Sequence, residues 1–406
     1  MSLPTETPRV ALVLAGGAAR GAYEVGVVHY IVHDIARSLG RDVPLDILCG
    51  TSVGAINIGA LAAYADQPKA RADRLVEHWR ALRISDVLRV DVSEAFAMLR
   101  SLVGLLPPRA GNGRGGLVDP VGLERLLEGI PFPRIDVHLR QGRLTAVTLA
   151  ATHVASGRTI VFVQRSEPGL PEWSHDPTIA PRSVALRAPH ALASAAIPLL
   201  FPAVRIDGEF YCDGGLRQNV PLSPARRLGA TGLIVVNPRY LAPDASRIDG
   251  HRREQAFPNP LFLIGKALNA LLLDRIDNDV DRLRKVSELL EAGTRLYGED
   301  FVDRMNRELG NEHGYGLRPL HAVLIRASQD IGRLCGTFVR SPAFRDRGVM
   351  GRLLRHVAEV DTEPEADLLS YLLFDGEFAG ELIDLGRQDA RARHDELCTF
   401  FEAMLT

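Results

Sequence analysis

Twice in its first 65 residues the chain drives a short apolar run into a glycine-flanked turn and out into a small-residue helix. The first unit is Val10–Leu14, then Ala15-Gly16-Gly17-Ala18-Ala19-Arg20-Gly21, then helical spacing at Ala22, Val25, Val28, Val32 and Ile35 that stops near Gly40. The second is Leu45–Cys49, then Gly50-Thr51-Ser52-Val53-Gly54, then Ala55–Ala65. Strands with no polar face, separated by helices, require a mostly parallel sheet covered on both sides. Further strands are expected at Leu144–Ala151, Thr159–Val163, Phe210–Cys212 and Gly232–Val236. Helices are expected at Ala70–Ala81, Gly122–Glu128, Pro189–Ala196 and Pro224–Leu228.

Each turn suggests chemistry. The second has the strand, sharp turn, helix context of a nucleophile elbow, with Ser52 at its tip and at a helix N-terminus, where unpaired N–H groups favour negative charge. Taken alone, the pentapeptide is equally a Ser/Gly turn that precedes a helix. The first turn is an anion cradle with two uses. A dinucleotide site needs G-x-G-x-x-G and an acidic residue closing the next strand, but Ala18 replaces the third glycine and neither Asp42 nor Asp46 closes one. An oxyanion hole for acyl transfer is the other use, and only it also employs Ser52. A third segment adds Asp207-Gly208 as a hairpin turn and Asp213-Gly214-Gly215 as a strand end that can hold a carboxylate out. Just upstream lies the proline-ended, small-residue run Ala193–Pro202.

In this order GGAARG (16–21), GTSVG (50–54), ASAAIPLLFP (193–202) and DGG (213–215), with Asn219-Val220-Pro221, resemble a bacterial patatin-like phospholipase. The resemblance is strong over 9–240 and looser at 323–332 and 370–386. It implies a three-layer α/β/α patatin-like sheet core. The catalytic domain would span 9–240, and 241–406 would be mainly helical, packed on the core or acting as a lid. It implies a Ser-Asp dyad: Ser52 attacks an acyl carbonyl of a lipid ester, and Asp213 takes its proton. Gly16, Gly17 and Ala18 would form the oxyanion hole, supported by Arg20, Gly21, Gly50, Gly54, Gly214 and Gly215. No cofactor and no metal are implied. Ala18 departs from the family's third glycine and is expected in an ordinary backbone conformation. Arg20 is expected to lock the turn rather than steer phosphate. Burial beside Ser52 should raise the pKa of Asp213. A Ser, acid, His triad would have to draw on His251, His313, His321, His356 or His394, none of which follows a strand end; His153 and His190 precede Asp213.

The rest of the sequence narrows the classes. A net charge of −2 over 406 residues argues against a nucleic-acid binder held by bulk charge. Cys49, Cys212, Cys335 and Cys398 follow no metal-ligand spacing. The opening MSLPTETPR lacks the marks of a secretory leader, and Leu261–Leu273 is too short to span a bilayer. The expectation is a cytoplasmic protein, with peripheral contact at the inner membrane surface left open. The Pro/Gly-rich stretch Leu105–Gly116 is expected to be a surface loop. Apolar positions from Leu261 to Leu290 predict one long amphipathic helix, or two joined, ended by Gly293. That helix is expected to pack on the sheet, with a lid as the sharper alternative. Two rival functions stay open: a catalytically weak lipid-binding or regulatory protein on the same fold, and a nucleotide binder built on the first glycine turn.

Overall fold

Val10–Leu14 (β1) has no more than 1% of any side chain exposed, and it runs through the middle of the sheet. The computed structural model describes residues 8–90, 118–198, 200–241, 276–309, 316–355 and 367–405, apart from isolated positions within these spans. Ile47–Thr51 (β2), Ala146–His153 (β3), Thr159–Arg165 (β4), Ile179–Ser183 (β5), Val204–Ile206 (β6), Glu209–Asp213 (β7), Gly232–Asn237 (β8) and His321–Arg326 (β9) complete a nine-stranded sheet among the described residues. Its order is β9-β8-β1-β2-β3-β4-β5, and β7 pairs with β3 on one side and β6 on the other. The pairs from β9 to β3 are parallel, β3 with β4 is antiparallel, and β4 with β5 is parallel.

The central strands β1, β2, β3 and β8 are buried on both faces, so their side chains feed two cores alternately. Leu12, Leu14 and Leu48 face one core; Ala11, Val13 and Cys49 face the other. On the first face lie Gly21–Tyr30 (α1), Val53–Ala63 (α2), Ala70–Ala81 (α3), Val121–Glu128 (α4) and Ala188–Ser194 (α5). Leu222–Arg227 (α6) and Ile276–Tyr297 (α7) cover the second face through Leu222, Ala225 and Val280. Asp367–Leu372 (α8) and Gly376–Ala392 (α9) return to the first face. The architecture is α/β in three layers.

α1 is apolar nearly all round because a second helix covers it. Gly26 and Gly386 let α1 and α9 cross with their backbones in contact: a Cβ on Gly26 would strike the Ile383 carbonyl, and one on Gly386 the Tyr23 carbonyl. The Tyr23 hydroxyl donates to Asp389 across the crossing at 2.9 Å. The region past residue 240 therefore supplies both an edge strand of the main sheet and the cover of its first helix.

Two expectations change. The described part of the long helix runs through Gly293 to Tyr297. Gly293 is small because the Phe301 ring packs where a side chain would stand; the turn beyond the helix belongs to Gly298, at φ 98°. Strands β5 and β9 were not anticipated. The apolar half of that helical run, Leu261–Leu273, and the stretch Leu105–Gly116 lie outside the described residues. Among the described residues no helix is long and apolar enough to cross a membrane.

Candidate active site

Two strand ends meet on one edge of β3. β2 runs parallel to β3, and its last residue, Thr51, sits opposite Ala150. β7 runs antiparallel along the same edge and ends with Asp213 opposite Ala151. The β6–β7 hairpin that delivers Asp213 turns at Asp207 and Gly208, both at positive φ (47° and 90°), as a tight type I′ turn requires. Head-to-head termination brings Ser52 and Asp213 together although 161 positions separate them in sequence, and the Ser52 hydroxyl donates to Asp213 Oδ2 at 2.6 Å.

Ser52 holds φ 54° and ψ −127°, a strained conformation for a residue with a Cβ. Its surroundings impose it. Gly54 presses α2 onto the end of β1, where a Cβ would stand 2.5 Å from the Leu14 carbonyl oxygen. The Ser52 N–H donates to Ser194 Oγ at 2.9 Å, and Ser194 Oγ donates to the Ala150 carbonyl at 2.5 Å. Gly214 completes the junction, since a Cβ there would strike that same Ala150 carbonyl.

Asp213 is wholly buried. Its N–H donates to the Ala196 carbonyl at 2.9 Å, and Thr152 Oγ1 donates to its carbonyl at 2.9 Å. Oδ1 accepts from the Gly215 N–H at 2.7 Å. Burial pushes the carboxyl up to about 7, against the lowering effect of the Ser52 and Gly215 hydrogen bonds. A carboxylate poised near neutrality and touching a hydroxyl is equipped to accept its proton.

The Gly16–Gly21 turn packs on the first turn of α2. A Cβ on Gly21 would stand 2.6 Å from Val53 Cγ2. Gly17 is extended, at φ 177°, but Ala18 is not in an ordinary conformation as expected: it sits at φ 48°. The turn keeps the left-handed geometry that a glycine would adopt freely, and the alanine carries the strain. Arg20 is buried and held from beyond residue 360: Nε and a terminal nitrogen donate to Ser370 Oγ at 2.9 and 2.7 Å, and the guanidinium lies 4.1 Å over the Tyr371 ring. It is placed as a lock on the turn.

A family model described as patatin-like phospholipase matches residues 12–226, more than half of the chain. The chain belongs to the patatin-like phospholipase family. An uncharacterised NTE family protein of Mycobacterium bovis is 29% identical over 57% of this chain and 50% of its own length. Patatin-like phospholipase domain-containing protein 7 of Mus musculus is 26% identical over 56% of this chain and 13% of its own length. The chain thus spans half or less of these relatives. Among solved structures, human GIVD cytosolic phospholipase A2 in complex with methyl gamma-linolenyl fluorophosphonate is similar over 98% of this chain and 59% of that one, at 14% identity and a TM-score of 0.41.

Among the described residues of this patatin-like chain, neither Ser52 nor Asp213 bonds to a histidine. His190 Nδ1 accepts from the Arg187 N–H at 3.0 Å, and burial pulls the ring down to about 4. His153 Nδ1 lies 2.7 Å from Ser156 Oγ. His251, His313 and His356, like Asn219, lie outside the described residues. The four cysteines are free. One described group has metal-ligand spacing: His29 and His33 Nε2, at 3.2 and 2.8 Å from Asp73 Oδ1. Arg387 Nε donates to His29 Nδ1 at 3.3 Å, which keeps the ring proton on Nε2 and leaves a hydrogen-bonded cluster rather than an open ligand set.

Two supports were not assigned from sequence. Ser194 lies within the Ala193–Pro202 motif, yet its hydroxyl's target depends on where α5 docks. Behind the first turn, the Asn57 amide donates to Glu24 Oε2 at 3.0 Å and to the Gly21 carbonyl at 3.2 Å, and Trp79 Nε1 donates to Asn57 Oδ1 at 3.1 Å. Glu24 is fully buried, which raises its pKa well above the usual range and favours the neutral acid.

Proposed function

We propose that the protein is a serine lipid acyl hydrolase that cleaves carboxylic esters of phospholipids or lysophospholipids. The observation that carries this reading is the 2.6 Å hydrogen bond from Ser52 to a buried carboxyl poised at about 7. Ser52 Oγ attacks the ester carbonyl carbon as Asp213 Oδ2 takes its proton. The oxyanion rests on main-chain N–H groups of the Gly16-Gly17-Ala18 turn, which packs against the start of α2. Collapse of the tetrahedral intermediate breaks the bond to the leaving alcohol or lysolipid, which takes the proton back from Asp213. Water, deprotonated by Asp213, then attacks the acyl-serine, releases the fatty acid and restores both groups. Residues 9–240 carry this chemistry, and the region from 241 buttresses it through Ser370 and α9. No metal or cofactor has a part in these steps. A lipid substrate implies contact with a lipid surface, and the location proposed with it is the cytoplasm, peripheral to the inner membrane.

A second reading, a catalytically weak lipid-binding protein on the same fold, is favoured by the strained Ala18. An active-serine fluorophosphonate probe followed by mass spectrometry separates the two. Modification at Ser52, lost in Asp213→Asn, is the outcome expected of the hydrolase. An unmodified Ser52 in folded protein would leave only the binding role.

A further inference from the structure

Both ends of the Ala15–Gly21 turn lie against the first turn of α2. A Cβ on Gly54 would stand 2.6 Å from the Ala15 carbonyl oxygen, and one on Gly21 2.6 Å from Val53 Cγ2. This packing fixes how near the turn comes to the helix that follows Ser52, but apolar contact is non-directional and does not by itself set how the turn is rotated. Polar groups do. The Asn57 amide of α2 donates to the Gly21 carbonyl at 3.2 Å and to Glu24 Oε2 of α1 at 3.0 Å, while Trp79 Nε1 of α3 donates to Asn57 Oδ1 at 3.1 Å. Trp79 can only donate and the Gly21 carbonyl can only accept, so the amide has one workable orientation.

Glu24 is the member of this group that packing does not call for. It is fully buried, and its Oε1 has no hydrogen-bond partner among the described residues. The Ala15 N–H acts on the carboxyl from the other end of the turn, although its own bond is to the Val236 carbonyl at 3.2 Å. A buried acid with an orphaned oxygen costs the fold stability that an apolar side chain would not. Its place is explained by what it reaches: the start of the turn directly, and the end through Asn57. Burial holds it neutral, so it accepts the Asn57 bond without setting a negative charge behind the turn on which an oxyanion would form.

We infer that Glu24 is a positioning residue of the proposed hydrolysis: through Asn57 it sets the angle at which the N–H groups of the Gly16-Gly17-Ala18 turn meet the acyl oxygen of the ester that Ser52 attacks. The inference rests on the hydrolase reading, with the oxyanion on that turn. Glu24 touches no reacting atom and acts only by how it holds the turn to α2.

The test measures kcat and KM of the full-length protein on a short-chain ester, with a cooperative thermal melt of each sample to show that it is folded. Glu24→Met, of matching length but with no group to accept the Asn57 bond, should lower kcat roughly 10- to 100-fold, the scale of a misplacement of about 1 Å, and leave KM nearly unchanged. Glu24→Gln, neutral and able to accept that bond, should keep most of the activity. Asn57→Leu cuts the same clamp from the α2 side and should give the same split between kcat and KM, so the test does not hang on one variant folding. Glu24→Met combined with Ala18→Val should lose less than the product of the two single losses, since both act through one turn. Combined with Ser194→Ala, which loosens the elbow through a different bond, the losses should multiply. Unchanged kcat in folded Glu24→Met or Asn57→Leu, a change confined to KM, or losses that multiply with Ala18→Val would each overturn the inference. A wild-type protein with no ester turnover would sink the hydrolase reading and the inference with it; turnover that survives Glu24→Met would sink the inference alone.

Discussion

The two glycine turns each force a residue with a Cβ into positive φ, Ser52 at 54° and Ala18 at 48°, but they are held in different ways. Ser52 is gripped by its immediate neighbours: Ser194 on its N–H, Asp213 on its hydroxyl and Gly54 against β1. Ala18 has no side-chain partner to give it. Its turn is steadied by Arg20, which reaches Ser370 and Tyr371 some 350 residues further along. Strain at Ser52 is tied to the use of its side chain, because the turn exposes the hydroxyl to Asp213. Strain at Ala18 is tied to its backbone, because only the direction of the N–H groups matters there. One turn should therefore be sensitive to chemical change and the other to shape.

Changes that remove chemistry should cost most. Ser52→Ala and Asp213→Asn are each expected to lower kcat/KM on a short-chain ester by roughly 10⁴-fold or more, while His190→Ala keeps most of the activity. A larger loss in His190→Ala than in Asp213→Asn would reverse the assignment. Shape comes next. Ala18→Val, β-branched in a left-handed position, should cost roughly 10²–10³ in kcat through misdirected oxyanion donors. Ala18→Gly should keep the rate and gain about 1 kcal/mol in denaturant unfolding. If both variants behave alike, the contrast between the turns fails.

The pH dependence of turnover should follow Asp213. The rate should fall about tenfold per pH unit below about 7, since the base must be unprotonated. Stability runs the other way. The folded-state value is raised above the ordinary carboxyl value of 3.8, so between these limits the native state binds the extra proton. The cost of burying the charge is absent below about 4 and complete above about 7. Asp213→Asn should thus match wild type in denaturant unfolding at pH 4 and become the more stable as pH rises towards 8. The smallest effects concern the supports: Ser194→Ala and Ser370→Ala should each lose about 1–2 kcal/mol of stability. Ser194→Ala should also lower kcat, while Ser370→Ala should affect unfolding more than turnover.

The motif glycines and the Asp-Gly pairs exposed both halves of the site in the sequence, because turn chemistry is local. The Asp207-Gly208 hairpin and the helix at Ala70–Ala81 were legible for the same reason: each is set by residues a few positions apart. What escaped was set at long range. β5 carries Pro181 and a half-exposed face, so it shows no apolar run; pairing with β4 makes it a strand. β9 is a fair apolar run, but only the free edge of β8 gives it a place. Gly293 looked like a helix end because a glycine yielding to a neighbouring ring is indistinguishable in sequence from one that caps. The conformation of Ala18 was misjudged because residue type records what a backbone prefers, while packing around Val53 and Gly54 decides what it adopts.

The crossing of α1 and α9 has a consequence for biogenesis. α1 is buried along nearly its whole length, and its cover arrives only when residues 376–392 have been made. Until then the nascent chain bears a sticky, unfinished flank that is open to chaperones.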